Sequence, residues 1–153
     1  MKKTINLGMV LMLSLALMSS TCSSDDDDGN SNDNSALIAD VENTVESGNW
    51  EITYYFDSTD ETSDYNGYAF TFDPNGTLTA TNGTNTYAGT WSVTDSSSSS
   101  SSDDVDFNIF FSAPPDFEEL SDDWDIIQYS STKIELIDVS GGNGGTDYLT
   151  FEK

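Results

Sequence analysis

One thiol, many carboxylates and a run of aromatic rings are the reactive and recognition chemistry this sequence offers. Cys22 is the only cysteine in 153 residues, so no internal disulfide can form, and the role of the thiol depends on the segment that delivers it. Asp and Glu number 28 against 4 Lys and no Arg, a formal net charge of −24. Histidine is absent, which removes the commonest general base, the base of serine triads and the commonest zinc ligand together. Carboxylate-pair catalysis needs no histidine, and Glu118, Glu119, Asp122 and Asp123 crowd into one stretch. In so acidic a chain such neighbours are expected, and no spacing selects an acid and its partner. The chain therefore reads as non-enzymatic, with no catalytic residue and no cofactor.

Hard cations need only oxygen ligands. The stretch 57–67 holds Asp57, Asp60, Glu61, Asp64 and Asn66, and Gly141 to Asp147 is a glycine-rich loop ending in a carboxylate. Neither has EF-hand spacing, and the glycine-rich motif occurs once where calcium-binding repeats must stack. Both read as solvated loops, and no metal is expected. The charge also excludes nucleic acid, because counterion release requires Lys and Arg facing phosphate. A bare anionic lipid surface repels the chain for the same reason, so membrane attachment has to be covalent or hydrophobic.

The elements that deliver Cys22 are legible. Lys2 and Lys3 precede an apolar run from Ile5 to Met18, which ends in Ser19, Ser20 and Thr21. A positive start, an apolar stretch too short to span a bilayer and a small-residue end make residues 1–21 a signal peptide. Its removal leaves Lys133 and Lys153 against the 28 acids. Residues 22–35 follow, opening Cys22-Ser23-Ser24-Asp25-Asp26-Asp27-Asp28 and continuing in Asn, Ser and Asp without an apolar side chain; this composition predicts a disordered acidic tether. Small residues ending in Cys22 resemble a lipobox, with Ser19 and Thr21 where Leu and a smaller residue are commonest. The acidic run after it is similar to the surface-export tag of lipoproteins from Bacteroidota, especially flavobacteria. That resemblance implies a diacylglyceryl group on the Cys22 thiol, an acyl chain on its amino group, and a lipid-anchored, surface-exposed place at the outer membrane. Two or more chains give stable anchoring where one is marginal.

Every aromatic residue lies between Trp50 and Phe151, which sets residues 36–153 as the single folded domain. Leu37, Ile38, Val41 and Val45 stand at helical spacing, with Ser35 as N-cap and Gly48 past the end, predicting a one-face helix of about ten residues. The period then changes to two: Trp50, Ile52, Tyr54 and Phe56; Tyr68, Phe70 and Phe72; Leu78 and Ala80; Tyr87, Gly89, Trp91 and Val93. Asp73-Pro74-Asn75-Gly76 and Asn82-Gly83-Thr84-Asn85 are turn signals between them. The serine run 96–102 reads as a loop inside one sheet, since neither half of the domain can bury a core alone. Val105, Phe107, Ile109 and Phe111 resume the alternation, 116–120 allow one helical turn, and 124–129, 133–139 and 147–152 give three more strands. Eight strands joined by short turns predict an all-β, antiparallel up-and-down barrel with a short N-terminal helix.

Gly48-Asn49-Trp50, opening the first strand after a short helix, resembles the Gly-x-Trp signature of lipocalins, and 36–153 is similar to the lipocalin-like domain of small Bacteroidota lipoproteins. The resemblance implies that Trp50 closes the barrel floor against a basic side chain from a late strand, a place that only Lys133 or Lys153 can fill here. Ile52, Tyr54, Phe70, Phe72, Trp91, Phe107, Ile109 and Trp124 form the inward rows. They either line a pocket for one small apolar or aromatic ligand, bounded by Tyr54, Phe72, Trp91 and Phe107, or fill the barrel. A filled barrel beside an exposed aromatic patch would instead belong to an accessory surface protein that recognises a glycan or a protein through its loops. A monomer is assumed.

Overall fold

The computed structural model describes residues 34–95, 105–139 and 144–153. The segment expected to be a signal peptide, Cys22, nearly all of the expected acidic tether, the serine run and residues 140–143 of the glycine-rich loop lie outside the described residues. Helix α1 spans Ser35–Val45, with Asn34 rather than Ser35 in the N-cap position. Its stripe behaves as the spacing predicts: Val41 and Val45 are fully buried, and Leu37 and Ile38 pack half-buried on the core. No helix among the described residues is long and apolar enough to cross a membrane.

The strands are β1 (Glu51–Asp57), the two-residue β2 (Thr59–Asp60), β3 (Ala69–Phe72), β4 (Thr77–Thr81), β5 (Thr86–Asp95), β6 (Val105–Phe110), β7 (Asp122–Ser130), β8 (Lys133–Asp138) and β9 (Asp147–Glu152). A 3-10 turn, Thr62–Tyr65, precedes β3, and the short helix α2, Pro115–Glu118, sits between β6 and β7. They make one sheet in the order β2-β1-β9-β8-β7-β6-β5-β4-β3, with every named pairing antiparallel. Eight full strands thus run up and down in chain order, and the sheet curls until Trp50 meets Phe70 across its two edges. That pair exchanges both backbone hydrogen bonds, at 2.9 and 2.7 Å. The fold is the predicted all-β, lipocalin-like barrel with a short N-terminal helix, joined at its seam by a single residue pair.

Alternation holds along most strands, with Phe70 and Phe72, Leu78 and Ala80, Trp91 and Val93, Phe107 and Ile109, Ile134 and Leu136, and Leu149 and Phe151 all buried. β7 shifts register against β8 between Ile126 and Gln128, and β1 is the second exception. Its register against β9 shifts between Ile52 and Tyr54, so the extra residue of a bulge reverses the side-chain parity beyond it. Tyr54, expected to face inward, is 40% exposed on the outer wall, and Tyr55, 1% exposed, takes the interior position.

The two ends of the barrel are closed differently. At one end Glu51, Glu152, Lys133 and Ser130 are neighbours in register, and α1 covers it: the Trp50 indole donates to the Val45 carbonyl at 2.8 Å and Tyr129 donates to Asp40 at 2.7 Å. At the other end Phe117 of α2 enters among Tyr65, Tyr68, Phe70, Tyr87 and Phe111, with ring centroids 4.8 to 6.0 Å away. The buried Tyr55 and Tyr65 hydroxyls hold this plug by donating to the Glu119 and Asp116 carbonyls. Burial, with nearby carboxylates, pushes both phenols above the ordinary tyrosine range.

Candidate functional site

The interior belongs to rings that touch one another. Phe72 stands 5.4 Å from Trp91, 5.7 Å from Phe107 and 5.5 Å from Phe151, and Trp91 lies stacked on Phe107 at 6.0 Å. Three of the four residues expected to bound a pocket therefore meet, each at 6% exposure or less, and the space between them is occupied by their own side chains. The fourth, Tyr54, is on the opposite side of the wall. The Trp91 indole is satisfied by the Asp73 carbonyl at 3.0 Å, so this cluster leaves no polar handle of its own turned towards a guest.

Trp50 packs against a basic side chain, and of the two lysines it is Lys153. Its ammonium sits 4.0 Å above the centre of the Trp50 ring and donates to the Ser47 hydroxyl at 2.8 Å. Partial burial lowers its pKa. Lys133 instead pairs with Glu135 and, at 3.7 Å, with Glu152.

The concave surface lies outside, near the end opposite α1. Phe110, the last residue of β6, points away from the core and is 57% exposed. Beside it a groove of about 370 Å³ runs over β5, β6 and the start of β7, walled by Thr90, Ser92, Asn108, Asp122 and Asp123, with Trp91 and Ile109 in its floor. A second hollow of about 350 Å³ shares Phe110 and Ser121 and adds Ser112 and Glu118. Phe110 is thus a ridge between two depressions. Its backbone comes so close to Gly89 that a side chain at Gly89 would meet the Phe110 carbonyl and lie 2.8 Å from the Phe111 ring; glycine there lets β5 and β6 approach. Ser121 fixes the other wall, accepting from the Phe111 amide at 2.9 Å and donating to the Phe111 carbonyl at 3.2 Å.

Carboxylates rim the groove, and their environment sets their protonation. Burial raises Asp122 to about 6, assisted by the side chains of Asp123 and Asp138, although the Asp123 amide donates to it at 2.9 Å. Outside the groove, Glu119 is raised by burial and by Glu61, and Asp147 on β9 by burial and Asp57. A carboxyl whose folded pKa exceeds its unfolded value binds more protons when folded, so stability falls as pH rises through that window. The melting temperature is expected to climb as pH drops from about 8 to 5, and Asp122→Asn should flatten part of the slope. Melting curves across that range check this; a temperature that rises with pH would overturn it. Of the acids weighed as a catalytic pair, Asp122 and Asp123 share the groove while Glu118 lies across Phe110 from them. Among the described residues no group of three or more Cys, Asp or Glu side chains is placed to hold a metal ion.

The alternation of Val105, Phe107, Ile109 and Phe111 already assigns Phe110 to the outward parity, which is the signal that marks this site in the sequence. Phe117 had no such signal, because a lone aromatic in a proline-flanked turn has no period. Comparison with protein-family models, with curated proteins and with solved structures finds no match to this chain.

Proposed function

We propose that this chain is a non-enzymatic surface lipoprotein, anchored to the outer membrane through Cys22, that recognises a glycan in the groove around Phe110. The observation that carries the reading is the filled interior: Phe72, Trp91 and Phe107 pack against one another, which weighs against a small apolar ligand inside and leaves the outer wall for recognition. An exposed ring flanked by hydroxyl, amide and carboxylate groups is the surface a sugar requires, since its apolar face stacks and its hydroxyls need partners.

Titrating the full chain with neutral cello-, xylo- and chito-oligosaccharides tests this. Saturable binding to one of them is expected, weakened about tenfold or more by Phe110→Ala, the equivalent of roughly 1.4 kcal/mol. The melting temperature should stay close to wild type because the side chain is largely in solvent. Binding that ignores Phe110→Ala would sink the assignment. In cells, Cys22→Ala should release the protein from the membrane fraction; continued retention would refute the anchor.

A further inference from the structure

We infer that the glycan taken by the Phe110 groove carries a protonated amine beside its stacking face, the chemistry of an amino sugar. The inference rests on the groove being a glycan site and specifies what kind. Phe110 supplies an exposed ring face, to which a cation within about 6 Å is attracted. Of the neutral groups around it, Ser121 is bonded in both directions to Phe111, and the Asn108 amide donates to Thr94 and to the Ser92 carbonyl, while Thr90 and Ser92 bring hydroxyls to the groove wall. Carboxylate oxygens add acceptors on either side, from Asp123 and from Asp122, which already accepts from the Asp123 amide, in one hollow and from Glu118 in the other.

Charge complementarity then selects the occupant. No lysine lines either hollow, and the two lysines of the described residues are committed elsewhere, Lys133 to Glu135 and Glu152 and Lys153 to Ser47 and Trp50. A sulfated, phosphorylated or uronic sugar would bring like charge to a chain of net charge −24 and find no counter-ion in the wall. An ammonium brings donors to the carboxylates and charge to the ring face, and the field of the whole chain draws it in.

Oligomers of glucosamine and of N-acetylglucosamine differ only in whether the amine is free, so the pair isolates this feature. Calorimetry on the full chain in uncharged detergent, at a pH just above the value of about 6 at which Asp122 titrates, so that the carboxylate is charged while the amine still holds its proton, should show the glucosamine tetramer binding about tenfold or more tighter than its acetylated twin. The preference should shrink between about 20 and 200 mM salt and vanish in Asp122→Asn/Asp123→Asn. Phe110→Ala should weaken both sugars, and Glu51→Gln, on the outer face of β1, should weaken neither. Equal or tighter binding of the acetylated tetramer, with Phe110→Ala still damaging it, overturns the amine and leaves the glycan groove standing. Binding of glucosamine that survives Phe110→Ala, or falls as much with Glu51→Gln as with the Asp pair, is diffuse charge attraction and overturns the inference. Failure of either tetramer and of every neutral oligosaccharide to bind overturns both readings.

Discussion

Phe117→Ala is expected to lower the unfolding free energy by about 3–5 kcal/mol, the range for deleting a buried phenylalanine that the surroundings cannot replace. The side chain is 2% exposed and meets five other rings, drawn from the 3-10 turn, the approach to β3, β3 itself, β5 and the segment after β6. Collapse into the space would require all of these to move, whereas Tyr55 and Tyr65 are tied by their hydroxyls to carbonyls of the segment that carries Phe117. Urea denaturation should show the loss, with a fall in Tm of roughly 10–20 °C. Phe117→Leu should cost markedly less. A loss under about 1 kcal/mol would mean that this end of the barrel is not packed as described.

Trp50→Ala is expected to cost a similar amount, about 3–5 kcal/mol, for a different reason. Alanine keeps both backbone bonds of the seam but loses a fully buried ring and the indole N–H that satisfies the carbonyl at the end of α1. Trp50→Phe separates these two contributions, because it keeps a ring but leaves the Val45 carbonyl without its donor, worth about 1–3 kcal/mol. The ammonium of Lys153 over the ring adds about 0.5–1 kcal/mol, so Lys153→Met should be the mildest of the three. Equilibrium unfolding of the three variants orders them; Trp50→Phe at wild-type stability would remove the indole bond from the account.

The architecture was legible because six of the eight full strands keep their period throughout, and tight turns such as 73–76 announce where they reverse. The bulge in β1 was not, since no glycine or proline marks it and the letters Trp50, Ile52, Tyr54, Phe56 alternate without interruption; only pairing with β9 reveals that parity changes after Ile52. The site was half legible. Phe72, Trp91 and Phe107 were assigned inward, and they are inward, yet alternation reports facing and not volume, so it could not tell a lined cavity from a filled one. Whether rings meet depends on the closure of the sheet, a quantity with no local signature. The same limit hid the groove: its walls come from three strands, and its hollows form only where Gly89 lets two of them draw together.

Lys153 folds back onto Ser47 and the Trp50 ring, so the residue that follows β9 returns to the start of β1. The barrel is in that sense a ring that happens to be cut there. Its order could be rotated: a glycine–serine linker of about eight residues from Lys153 to Ser35 and new ends in the exposed turn 82–85 would give a circular permutant with every strand beside its present neighbours. In such a permutant the free ends would emerge on the side of the Phe110 groove rather than beside α1, turning the molecule around with respect to whatever holds it.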